Sequence, residues 1–369
     1  MRPTRGIAIA AVLACACGEP SDSDSPYVRL DPYASVVSPP SQRDEVVLLE
    51  GGTACVTETY WYRVVCTDPD GDSFRFGKEG EGPGEFTDPV DILRGPAGTI
   101  GVTDRRLNRL SVFSRFGQFM ASRPGLPNRL SFSSPSAMEG TMAARYMKSD
   151  PGVGSSFVQA EIDAATGRMI WERTFPEEAD VVDCSTSWPG RDGASLGAGY
   201  SDGRGGLLFV TCFGEFLVWY ADRDTEDPTA IVRSTYVERY PSDEDVAALM
   251  GWLNSQPAGG FRPFSGEDEI RERPKVWYGA RVVDDGRRFW AVSHWNSVDD
   301  VIPALSYIDM FRLTEQGPQH ALTLQVADKV VAMDVLGNTL AVLVQRDVGG
   351  VIPERRVNWF DVTQVTAQR

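Results

Sequence analysis

The stretch Phe76 to Ala121, FGKEGEGPGEFTDPVDILRGPAGTIGVTDRRLNRLSVFSRFGQFMA, decides how the rest of the chain is read. A glycine-rich segment leads into four short apolar runs: Pro89 to Leu93, Thr99 to Thr103, Arg109 to Phe113 and Gln118 to Ala121. Each break between runs carries Gly, Asp or Asn, the residues that tight turns need, so the runs read as strands joined by hairpins. The last two close around Ser114-Arg115-Phe116-Gly117, with the glycine where a hairpin wants a positive φ. The stretch therefore reads as one four-stranded antiparallel unit.

Working outward, the same rhythm recurs. Runs equivalent to the second strand begin near Thr53, Thr99, Thr141, Gly206, Arg288 and Thr339, at intervals of 46, 42, 65, 82 and 51 residues. Every interval holds a four-stranded unit, and two hold insertions. Units of this kind bury their faces only against neighbours, and a closed ring removes the exposed ends. The expected fold is all-β, a six-bladed β-propeller of four-stranded antiparallel blades. Counting forward from Glu45, the sixth blade lacks an outer strand after Arg355 to Asp361. Tyr27 to Val37, YVRLDPYASVV, is the extended segment left over, and it is expected to close the ring as that strand, with Pro32 tolerated on an edge.

The segments GKEGEGPGEFTDPVDI and TDRRLNRLSVFSRFGQF resemble the bacterial six-bladed β-propeller lipoproteins, relatives of NHL-repeat propellers. The close match covers Phe76 to Ala121, and the remainder matches in strand rhythm. The resemblance implies fold and cell location and leaves activity open, because propellers host binding modules and enzymes alike.

At the N-terminus, Arg2 and Arg5 precede an apolar run, Gly6 to Ala14, too short to span a bilayer permanently and fitting a secretory leader. It ends in Val12-Leu13-Ala14-Cys15, which resembles a lipobox, so residues 1–14 are expected to be a lipoprotein signal peptide and Cys15 the lipidated residue, with Cys17 a second candidate. Residues 15–26, whose GEPSDSDSP stretch has no apolar residue, would be a flexible tether, leaving 27–369 as one propeller domain. No Asp directly follows either cysteine, which by resemblance to other lipoproteins points to the outer membrane.

Four cysteines remain, an even number suited to an oxidising compartment. Cys55 falls on the second strand of the first blade and Cys66 on the third. Cys184 is placed on the innermost strand of the fourth blade and Cys212 on its second. Both pairs would then lie across neighbouring strands, within disulfide reach.

The interval between the fourth and fifth blades holds a helix over about 242–254. Ser242 is its cap, Asp245 completes a capping box, and Val246, Leu249, Met250 and Leu253 form one apolar stripe expected to lie on the propeller body. Gln256 to Lys275 reads as a long loop, and Ser187 to Gly205 as a glycine-rich insertion.

Propeller topology sends connections between second and third strands to the same end as connections between blades. By that rule Trp61, Tyr62, Asp104, Arg105, Arg106, His294, Trp295, Asp299 and Arg346 share the face that carries the helix. This mix of aromatic and charged groups suits a protein, peptide or glycan ligand.

A formal net charge of −16, with no basic cluster, argues against nucleic acid. The chain has no G-x-S-x-G elbow, no phosphate loop and no H-E-x-x-H, and its two histidines cannot assemble a multi-histidine metal site, so no catalytic residue, metal or cofactor is assigned. The sequence reads best as a monomeric, membrane-anchored envelope propeller that binds or scaffolds. The alternative is a calcium-dependent hydrolase or lactonase whose oxygen ligands line the central channel.

Overall fold

The computed structural model describes residues 27–41, 45–125, 131–132, 141–150, 154–163, 166–175, 199–201, 205–211, 216–233, 241–256, 265–272, 276–283, 288–294, 301–303, 305–349 and 353–363. Six sheets follow one another along the chain, each starting from an inner strand and running outward through antiparallel neighbours. Blade one is Val47–Leu48, Ala54–Glu58, Arg63–Thr67 and Ser73–Phe76, and blade two is Pro89–Arg94, Ile100–Asp104, Arg109–Phe113 and Phe119–Pro124. Blade three is Ser131–Phe132, Thr141–Asp150, Gly154–Asp163 and Met169–Thr174, and blade four is Gly199–Ser201, Leu207–Thr211, Phe216–Tyr220 and Ala230–Arg233. Blade five is Val276–Val283, Arg288–His294, Leu305–Thr314 and Gly317–Ala327; blade six is Lys329–Leu336, Thr339–Arg346 and Glu354–Asp361, completed by Ala34–Val37.

Each strand alternates its side chains between its two neighbouring blades, so the apolar residues gather in clusters along the seams. Phe76, Phe86, Ile92, Val102 and Phe113 pack between blades one and two, and Leu93, Leu110, Ala144 and Ile162 between two and three. Phe175, Phe209 and Tyr220 fill the third seam, and Leu208, Trp219, Phe289 and Phe311 the fourth. Trp290, Met310, Met333 and Phe360 fill the fifth, while Leu48, Val56, Leu343 and Trp359 join blade six back to blade one. The last seam makes the assembly a ring.

Polar groups tie the same junction. The buried Asp334, on the inner strand of blade six, accepts from the Leu48 N–H of blade one at 2.7 Å and from Arg94 Nη1 of blade two at 2.7 Å. Arg94 Nη1 also donates to the Leu48 carbonyl at 2.7 Å, so one carboxylate links three inner strands. Trp359 Nε1 donates to the Gly52 carbonyl at 2.7 Å across the closing seam.

The N-terminal strand closes the last blade as expected, but over part of the expected segment. Ala34–Val37 pairs antiparallel with Arg356 to Trp359, and Ser35 Oγ donates to Asn358 Oδ1 at 2.6 Å. Val28–Arg29 instead pairs parallel with Leu324 and Gln325, adding a fifth strand to the outer edge of blade five. The division falls at Asp31-Pro32. Proline has no N–H to continue a ladder and restricts the residue before it, and the second pairing begins directly afterwards, where the Tyr33 N–H donates to the Trp359 carbonyl at 2.9 Å.

Two other expectations are corrected. The inner strand of blade four is Gly199–Ser201, inside the stretch read as an insertion. Within 256–275, Glu267–Glu272 forms a short helix, α2, where a continuous loop was expected. Its start is held by Glu269, whose Oε2 accepts from Ser265 N–H and Oγ–H, both at 2.7 Å. The longer helix, α1, spans Asp243–Ser255 with the capping box between Ser242 and Asp245 in place. Its buried Val246, Leu249 and Leu253 pack with Ile270 of α2 and with Val301, from the connection between the second and third strands of blade five. Among the described residues, the stripe thus meets the body through that connection and also packs the helix pair together.

Cys55 and Cys66 stand directly opposite each other on neighbouring strands and are joined in a buried disulfide. Cys15, Cys17, Cys184 and Cys212 lie outside the described residues.

Candidate functional site

Blade two shows how one end of the propeller is built. Asp104 ends the second strand at 1% exposure and acts as a turn anchor. Its Oδ2 accepts from the Thr87 N–H at 2.6 Å and the Asp88 N–H at 3.1 Å, and its Oδ1 from the Leu107 N–H at 2.9 Å. Arg105 donates from Nε to Asp88 at 2.8 Å, while Arg106 is exposed. Arg109 reaches into the glycine-rich segment and donates to the carbonyls of Glu81, Gly82 and Glu85 at 2.7, 2.9 and 2.5 Å. Lys78 pairs with Glu85 at 3.0 Å, and this contact, with the Gly82 N–H, holds the Glu85 carboxyl below its ordinary range. The quoted segment is therefore a scaffold that joins blade one to blade two.

At the equivalent end of blade six, Arg346 pairs with Asp328 at 2.7 Å, an exposed contact that raises the guanidinium pKa. His294 closes the second strand of blade five opposite Val276, and Trp295 and Asp299 lie outside the described residues. Of the charged residues singled out from sequence, Asp104, Arg105 and Arg346 are thus engaged within their own blades.

Blade one differs. Between its second and third strands, Thr59–Trp61 make a 3-10 turn, and Tyr62 follows in the left-handed region at φ 53°. Tyr60 and Trp61 project from this turn at 56% and 63% exposure, whereas Tyr62 is half-buried against the seam with blade two. The turn is clamped at its base, where the buried Glu58 ion-pairs with Arg63. The Arg63 guanidinium also lies 5.8 Å from the centroid of the Trp61 ring, so one face of the indole is backed by a cation. Tyr60 was not among the residues singled out from sequence, although the run Tyr60-Trp61-Tyr62 is an aromatic signal in itself.

Among the described residues, no group of three or more His, Cys, Asp or Glu side chains is placed to hold a metal ion. Nor is any described helix long and apolar enough to cross a membrane.

No family model matches the sequence, and no curated protein matches it. Solved structures do. U3-55K is similar over 89% of this chain and 98% of its own, with a TM-score of 0.51 and 10% identity. A DUF4221 family member from Bacteroides vulgatus covers 91% of this chain and 98% of its own at 12% identity and a TM-score of 0.43. An exported protein from Bacteroides fragilis covers 90% and 98% at 10% identity and a TM-score of 0.43. At such identities the likeness speaks to the fold alone. Six blades, six apolar seams and a shared last blade define the chain as a six-bladed β-propeller.

Proposed function

We propose that this propeller is a membrane-anchored binding module of the bacterial envelope, lipidated at Cys15, of the NHL-like lipoprotein kind, and that its working surface is the end bearing the Thr59–Tyr62 turn. The observation that carries the reading is the contrast on that end. Arg105 and Arg346 are tied into intramolecular ion pairs, while two large aromatic rings on a clamped turn face solvent. Exposed aromatic side chains on a rigid turn supply contact area at little entropic cost, the property that binding surfaces exploit. The leader, the lipobox-like Val12-Leu13-Ala14-Cys15 and the polar tether support the anchor.

The test places a photo-crosslinking amino acid at position 60 and, separately, at position 116, an exposed Phe on the opposite end. In the membrane fraction, adducts are expected at 60 and not at 116. Adducts at 116 alone, or a protein recovered without lipid in the soluble fraction, would contradict the reading.

A further inference from the structure

Blades one and two use the same connection for different ends. In both, the last residue before the third strand is left-handed: Asn108 at φ 47° in blade two and Tyr62 at φ 53° in blade one. Asparagine visits this region readily, whereas a bulky residue does so at a steric cost. The remaining positions differ in the same sense. Blade two carries exposed Arg105 and Arg106 and a half-buried Leu107, where blade one carries Thr59, exposed Tyr60 and exposed Trp61. Local preference would favour the blade-two solution in both places. Departures of this kind concentrate where a surface has a task beyond folding.

The chemistry presented at the turn is narrow. Among the described residues of this end, Arg63, Lys78, Arg105 and Arg346 are each bound to a carboxylate, which leaves the exposed Arg106, on the turn of the neighbouring blade, as a cation without an ion pair. The exposed Trp61 indole is backed by Arg63 and preceded in the same turn by the exposed ring of Tyr60, whose edge carries a hydroxyl. Two rings a little over half exposed offer on the order of 200–300 Å², well short of the roughly 800 Å² per partner of a standard protein interface. That area matches the flat, C–H-rich face of one or two sugar rings, whose peripheral hydroxyls would meet the Tyr60 O–H and the Trp61 indole N–H. We infer that Tyr60 and Trp61 form a stacking platform for a neutral saccharide of the envelope. This rests on the reading above that the same end is the binding surface.

Calorimetric titration of the full-length protein with chitohexaose, cellohexaose, maltohexaose and mannohexaose tests it. One of these should bind saturably, with affinity falling about tenfold or more in Trp61→Ala. Trp61→Phe should retain most of the binding, and Phe116→Ala all of it. Because Trp61 is exposed, the thermal midpoint of Trp61→Ala should match the wild type, so a loss of binding cannot be a loss of fold. No binding to any of the four, or binding indifferent to Trp61→Ala, overturns the inference. If adducts at position 60 nonetheless identify a protein, the binding surface stands and the saccharide falls.

Discussion

Replacing Asp334 with alanine should weaken the ring more than any other single polar change at the closing seam. The carboxylate is 1% exposed, and it satisfies two groups in two other blades, the Leu48 N–H and the Arg94 guanidinium, each at 2.7 Å. Removing it leaves Arg94, whose side chain is only 14% exposed, as a charge without its counter-ion. Breaking one partner of a buried pair costs about 3–5 kcal/mol, and the orphaned Leu48 amide is part of that cost. The reasoning makes a second, stricter demand. The double variant Arg94→Met, Asp334→Leu removes both charges and keeps the volume, so it should recover most of the loss. Urea unfolding of the three variants measures this, the change appearing in the midpoint with the slope unchanged. A loss below about 1 kcal/mol in Asp334→Ala, the range of an exposed pair, or a double variant no better than the single, would refute the claim that this carboxylate links three blades.

Three further outcomes are expected. Deleting residues 27–30 removes the two-residue pairing on blade five and should cost under about 1 kcal/mol, whereas extending the deletion to residue 37 strips the outer strand of blade six and should cost on the order of 3 kcal/mol; hydrogen exchange at 354–361 should quicken only in the second. Replacing Cys55 and Cys66 by alanine opens a loop with a sequence separation of 11 and should cost about 2.5–3 kcal/mol in the urea midpoint, and peptide mapping without reduction should show this linkage. The buried Tyr146 hydroxyl is pushed up to about 12, first by burial and then by its hydrogen bond to Glu172. Because the folded value exceeds the unfolded value of about 10, the native state holds this proton more tightly, and stability is full below pH ~10 and is lost as pH rises through about 12. Absorbance at 295 nm should show a late tyrosinate step that Tyr146→Phe removes; an unchanged titration would contradict the assignment.

Much of the fold was legible because strand rhythm, turn residues and caps are local. The capping box of Ser242 and Asp245, the pairing of Cys55 with Cys66 and all four strands of blade two could be placed from sequence. What was not legible lacked local periodicity. Gly199–Ser201 is three residues without an apolar alternation, and α2 has Ile270 as its one buried residue, too little to mark a helical face. The division of 27–37 between two blades rests on a two-residue parallel pairing, which leaves no pattern in the chain. At the candidate site, the aromatic run Tyr60 to Tyr62 was visible, but the engagement of Arg105 and Arg346 was not. Their partners lie 17 and 18 residues away, brought near by how successive strands and blades stack rather than by any spacing a sequence displays.

The claim that the end bearing Thr59–Tyr62 is the binding surface is tested most directly by differential hydrogen exchange of the purified protein, with and without its own envelope fraction. The account predicts added protection centred on the backbone amides of residues 59–63. Protection confined to the turns of the opposite end, at 114–118 and 222–227, or no change anywhere, would contradict it.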